Sequence, residues 1–84
     1  MRLNSMALTV TIARVNETLY DDEAVSVTLP GVGGEMTILD THEPLISTLQ
    51  SGTIIVRPHD GEPQRHIIER GLVEMTNSHC TVLV

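Results

Sequence analysis

LPGVGGEMTILDTHEPL, running from Leu29 to Leu45, decides the reading of this chain. Leu29 ends one β run, and Pro30-Gly31 and Gly33-Gly34 supply turn signals. Met36 and Ile38 alternate with polar neighbours at the period of two that a half-buried strand requires. The polar segment Asp40-Thr41-His42-Glu43-Pro44 then breaks the pattern. A strand, a glycine turn, a second strand and a polar loop within so few residues is the grammar of a small β domain.

The same period extends outward in both directions. Leu8, Val10 and Ile12 share one face, with Thr9 and Thr11 opposite. Val25, Val27 and Leu29 are read the same way, as are Ile54 with Val56, and Cys80 with Val82 and Val84. Leu72 is followed by Val73 and Met75, so this run crosses faces. Turn signals separate the runs: Asn16-Glu17, Asp21-Asp22, Ser51-Gly52, Asp60-Gly61 and Asn77-Ser78. Asp60-Gly61 is the clearest hairpin signal, because a two-residue primed turn needs φ > 0 at both positions. It pairs a strand ending near Pro58 with a strand over Gln64–Glu69. No segment holds a helical period of useful length, and His42–Gln50 has room for one helical turn at most. These signals predict an all-β domain, a small antiparallel β-sandwich of about eight to ten short strands.

Composition agrees and excludes several functions. The chain has 84 residues, enough for a single domain over 1–84 with a marginal core. Tyr20 is the one aromatic, so Val, Ile and Leu must fill the interior with help from Met36 and Met75. A small core without Phe or Trp predicts a domain that gains stability from a partner. The net charge is −6, with eleven acids against five bases, every one of them Arg. Phosphate binding needs a basic patch, so nucleic acid is not an expected partner. No run is long and apolar enough to insert into a membrane, and the first residues do not read as a signal peptide. Met6 is a second possible start, which makes residues 1–6 a frayed leader. Cys80 stands alone in an apolar run and reads as a buried core thiol, in keeping with a reducing compartment.

The residues capable of chemistry form no strong constellation. Gly31-Val32-Gly33-Gly34 lacks the Lys-Ser/Thr and the helix of a phosphate loop, and Glu35 would repel a phosphate. Its glycines are better read as backbone that needs close approach or positive φ. Asp40, His42 and Glu43, joined by His59, His66 or His79, fit no standard metal spacing. Asp40, His42 and Ser47 lack the strained nucleophile turn of a hydrolase. No catalytic residue, metal or cofactor is therefore assigned. Leu45, Ile46 and Leu49 serve either the core or an apolar patch for a partner.

With these residues in place, GGEMTILDTHEPLISTLQSG, Gly33–Gly52, resembles the epsilon subunit of bacterial and chloroplast F-type ATP synthases. The matching positions are Gly34-Glu35, Ile38, His42, Pro44-Leu45 and Gly52. The likeness extends through Leu19-Tyr20, Val25–Gly31, Arg70–Met75 and Thr81–Leu83, nearly the whole chain in order. Thr37 stands in place of a glycine, Asp40-Thr41 in place of Pro-Gly and Glu43 in place of Ala, and Gln50-Ser51-Gly52 lacks a proline. The family's C-terminal helical hairpin is missing, which would make this a short form unable to inhibit by inserting those helices. The resemblance implies a ten-stranded β-sandwich at the foot of the central stalk, peripheral on the cytoplasmic face of the bacterial inner membrane. It implies a non-catalytic rotor subunit that binds the gamma subunit and the polar loops of the c-ring, coupling ion translocation to ATP synthesis and hydrolysis. Glu35 and His42 match positions that face the c-ring and gamma, and Arg14 and Ser47 match positions near gamma. Two other readings stay open: a stand-alone β-sandwich module binding a peptide or small ligand through Asp40–Glu43, and a small metal-dependent enzyme using His42 with nearby acids.

Overall fold

A computed structural model describes residues 8–40 and 43–84. Among them are nine strands and no helix: β1 (Leu8–Arg14), β2 (Glu17–Ala24), β3 (Ser26–Gly31), β4 (Gly34–Ile38), β5 (Leu45–Leu49), β6 (Gly52–Arg57), β7 (Gln64–Ile68), β8 (Gly71–Thr76) and β9 (His79–Leu83). They pair in the order β2-β1-β9-β8-β5-β3-β6-β7, with β4 on β3. A single residue pair, Gly31 with Leu49, joins β5 to β3. The sheet curls at this joint, and residues from both halves meet in one core.

The all-β prediction holds, with one difference in strand direction. β1 and β9 run parallel, Val10 beside Cys80 and Ile12 beside Val82. Parallel neighbours cannot be joined by a tight turn, and here the rest of the domain is the crossover between them. Alternation builds the core: Leu8, Val10 and Ile12 on β1, Val73 and Met75 on β8, and Cys80 and Val82 on β9 are all buried, as are Ile54 and Val56 on β6. Each such aliphatic side chain contributes about 1.5–3 kcal/mol by leaving water. Tyr20 is buried too, and its hydroxyl donates to the Glu23 carbonyl at 2.8 Å.

Several local expectations give way to tertiary pairing. Asp21-Asp22 is not a turn but lies inside β2, paired with Thr11 and Val10. β2 is the outer strand of the sheet, where exposed carboxylates are compatible with pairing on one flank and discourage addition of another strand. Pro30-Gly31 is likewise within β3, and the turn falls at Val32-Gly33, closed by the Gly31–Gly34 pair. A Cβ on Gly31 would come within 2.6 Å of the Met36 Cε and 2.7 Å of the Gly34 carbonyl oxygen, so only glycine fits. Val25 does not share the buried face of Val27 and Leu29. It is 49% exposed at the bend between β2 and β3, where the chain passes from one half of the sheet to the other. β3 is instead buried on both faces, because Thr28 hydrogen-bonds the Thr37 hydroxyl at 3.1 Å and accepts from Arg57 at 3.3 Å.

The Asp60-Gly61 hairpin forms between β6 and β7, with Gly61 at φ 97°. Its ladder ends at Val56–Gln64 and β6 at Arg57, so the connection spans 58–63 rather than two residues, and Asp60 does not take positive φ. Pro58 and Pro63, which cannot donate to a ladder, widen it. In place of a helical turn within His42–Gln50, residues Leu45–Leu49 are β5, paired along their length with β8.

Candidate functional site

Strand register separates the sequence-predicted residues that the structure describes rather than gathering them. Glu35 is exposed beside the Val32-Gly33 turn, opposite Pro30. Asp40 follows the far end of β4, roughly 15 Å away at about 3.3 Å per strand residue. The pairing therefore places Glu35 and Asp40 apart. Thr41 and His42 lie outside the described residues, and Glu43 and Pro44 are exposed. Arg14, at the end of β1, is exposed and stands 3.8 Å from Glu17, a geometry worth well under about 1 kcal/mol in water. Ser47 sits in the middle of β5, opposite the buried Val73, half-buried on the inward side between Leu45 and Leu49.

The apolar trio near the loop splits. Leu49 is core, Leu45 packs against the core, and Ile46 is 70% exposed. Ile46 belongs to a larger outward surface on the β5-β8-β9-β1 half. One cross-strand row reads Thr48, Leu72, Leu83, Ala13, with Leu72 42% and Leu83 52% exposed. The neighbouring row reads Ile46, Glu74, Thr81, Thr11, Asp21. Thr11 donates to the Asp21 carboxylate at 3.2 Å and meets His79 Nε2 at 3.1 Å. Threonine hydroxyls and aliphatic side chains dominate these two rows, with the carboxylates of Glu74 and Asp21 among them. Sequence reasoning missed it, although a signal existed: Leu72 and Leu83 are out of phase with the buried Val73 and Val82.

Two open clefts of about 350 Å³ flank that face. Arg14, Ile67, Arg70 and Val84 line one; Pro44, Leu45, Ile46 and Thr76 line the other. Neither gathers groups for catalysis. Among the described residues no three of His, Cys, Asp or Glu lie close enough to hold a metal ion. His59 is on the β6–β7 connection, His66 on β7 and His79 on β9. Cys80 is fully buried, and burial pushes its thiol up to about 12, far from the thiolate that a nucleophile requires. No helix among the described residues is long and apolar enough to cross a membrane.

The described residues thus form a curled, mostly antiparallel nine-stranded sheet with an exposed aliphatic row on one half. Two solved structures share its fold. A chain of the Euglena gracilis mitochondrial ATP synthase superimposes with a TM-score of 0.88 at 20% identity, over 95% of this chain and 51% of that one. One from the central stalk and c-ring of the Tetrahymena thermophila mitochondrial ATP synthase does so with 0.81 at 13%, over 92% and 62%. Residues 7–84 match the family described as ATP synthase, Delta/Epsilon chain, beta-sandwich domain, and the chain belongs to that family. It is 38% identical over 77 residues to the ATP synthase epsilon chain of Sulfurimonas denitrificans, covering 92% of this chain and 59% of that one. With the epsilon chain of Synechococcus elongatus it shares 38% over 79 residues, covering 94% and 57%. The chain thus spans little more than half the length of these relatives.

Proposed function

We propose that this domain is a non-catalytic rotor part of an F-type ATP synthase, peripheral on the cytoplasmic face of the bacterial plasma membrane. It binds the gamma subunit and the c-ring and couples ion translocation to ATP synthesis and hydrolysis, with the chemistry on other subunits and no cofactor of its own. The observation that carries this reading is the outward row of Leu72 and Leu83 with Ile46 beside it, in a chain of this family. A rotor part must transmit torque without slipping, which calls for a stable interface of the order of 1,200–2,000 Å² rather than a pocket. We assign gamma to the outer face of β5-β8-β9-β1. Arg14 lies at its margin, and Ser47 supports it from the inward side of β5. Glu35 and His42 take the c-ring contacts.

Co-expression with the gamma subunit of the same genome, followed by size-exclusion chromatography, tests this. One-to-one co-elution is expected, and Leu83→Asp is expected to abolish it while leaving the melting temperature unchanged. Glu35→Arg and His42→Ala should weaken assembly or ion coupling with the fold intact. If the parent chain elutes folded and alone, the rotor reading fails and the independent binding module takes its place. Co-elution of Leu83→Asp with gamma would instead remove only the face assignment.

A further inference from the structure

Among the described residues three strands are paired on one flank only: β2, β4 and β7. A free flank presents N–H and C=O groups with which an extended chain can pair. β2 carries Asp21, Asp22 and Glu23, and β4 carries Glu35, so both turn an acidic segment away. β7, Gln64–Ile68, holds no carboxylate, and its formal charge is the guanidinium of Arg65. Glu62 and Glu69 fall outside the strand, as do Pro58 and Pro63.

The side chains of β7 are left unmatched in a regular pattern. Arg65 and Ile67 share the outer face, opposite Ile55 and Thr53 on β6. Two residues apart on a strand, they stand about 7 Å from each other. Arg65 makes no ion pair among the described residues, and Ile67 is 83% exposed. His66 lies between them on the inner face, opposite the fully buried Ile54. Its Nε2 is buried and finds no hydrogen-bond partner among the described residues. Native structures leave few such atoms unpaired, because each costs its full desolvation. At the end of the strand, Ile67 and Ile68 line the cleft of about 350 Å³, together with Glu69, Arg70, Arg14 and Val84.

We infer that β7 accepts a further strand from a partner protein: an extended segment with a carboxylate opposite Arg65, an aliphatic side chain opposite Ile67, and a hydroxyl or amide between them that reaches His66 Nε2. Main-chain hydrogen bonds on the free flank hold such a segment, and its alternate side chains give specificity. Directly opposed residues of paired strands stand about 4.5–5.5 Å apart, within reach of all three contacts. Charge selects this occupant. Beyond about 8 Å charges are screened in physiological salt, so the segment meets Arg65 rather than the net charge of −6. The same segment is repelled at β2 and β4, and specificity is set by that repulsion as much as by the attraction. β7 belongs to the half of the sheet with β3 and β6, away from the outer face assigned to gamma, and the inference does not rest on the rotor reading.

NMR titration of the whole chain tests it, with a capped synthetic peptide of about eight residues, a common strand length. Glutamate and valine alternate on one face of this peptide, and threonine fills the other. Amide shifts and slowed hydrogen exchange are expected along Gln64–Ile68, with β2 and β4 unchanged. Arg65→Glu should weaken binding by about ten- to a hundredfold, the worth of a hydrogen bond to a charged group, and lysine in place of the peptide's glutamates should restore it. Ile67→Thr should weaken binding by a smaller factor. Both side chains are exposed, so both variants should melt with the parent. His66→Leu should raise the melting temperature of the free chain and bind peptides with threonine or alanine spacers equally, whereas the parent should prefer threonine. No binding at millimolar peptide, shifts centred on β2, β4 or the β8–β9 face, parent-like binding by Arg65→Glu, or full affinity for a peptide with proline at its centre would each overturn the inference. Concentration-dependent dimerisation that protects β7 without peptide would assign the edge to a second copy and overturn it as well.

Discussion

The two ends of β4 are held by opposite means. At the Gly31–Gly34 end the contact is steric: the Met36 Cε and the Gly34 carbonyl oxygen leave Gly31 no room for a Cβ, and Gly34 takes φ 133°. At the Asp40 end the contact is polar and adjustable: Asn77 and Ser78 take φ of 51° and 63°, and the Ser78 hydroxyl donates to the Asp40 carbonyl at 2.9 Å. A steric joint tolerates no added atom, whereas a hydrogen-bonded joint tolerates change in the backbone but not loss of its donor.

Substitutions can break or sharpen this contrast. The largest effect is expected from Gly31→Val, which drives a side chain into the Gly34 backbone and should cost about 2–3 kcal/mol as overpacking does, lowering the melting temperature by roughly 10–20 °C in a domain of this size. A parent-like melt would end the steric account of that joint. A Cβ on Gly34 meets no atom within 4 Å, so Gly34→Val chiefly strains the backbone; about 1–3 kcal/mol is expected, and an unchanged melting temperature would refute the strain.

The core shared by both ends has an alkaline signature. Burial raises the Cys80 pKa from 9.0 to about 12. The unfolded chain therefore releases this proton first, and stability should be lost as pH rises from about 9 towards 12. Cys80→Ala should flatten that decline in thermal melts. Burial, and secondarily the charge of Asp22, also push the Tyr20 phenol up, and that contribution persists in both proteins. An equally steep alkaline decline in Cys80→Ala would show that the thiol does not carry it. The smallest effect is expected at the polar joint: Asn77→Gly keeps the turn and the Ser78 hydroxyl, and should change stability by less than about 0.5 kcal/mol. A large loss there would mean the Asn77 side chain does more than permit the turn.

Legibility followed how local each cause was. Asn77-Ser78 was readable because positive φ is a property of one or two residues; at Asp60-Gly61 only the glycine takes it, and the connection is longer than the two-residue turn the signal suggests. Asp21-Asp22 and Pro30-Gly31 misled because their turn chemistry is real but was outweighed by pairing with β1 and β4, partners distant or differently registered in the chain. Leu45–Leu49 was hidden for the same reason: its ladder partner is β8, more than twenty residues on. Of the candidate residues, Glu35 and Arg14 were suggested by resemblance, and both stand exposed near strand ends. The inward placement of Ser47 could not be read, since a lone serine between two leucines is consistent with either face.

The amino-acid order by itself determined the strand class, most of the strand positions, the aliphatic core and the resemblance that led to the family. Each follows from period-two burial, turn preference or short-range pattern. Only the tertiary structure decided that β1 and β9 run side by side in parallel, that Leu72 and Leu83 meet on an outer face, and that Ser78 reaches Asp40. Those contacts join residues far apart in the chain. Their stability depends on the simultaneous fit of every strand between them rather than on any local preference.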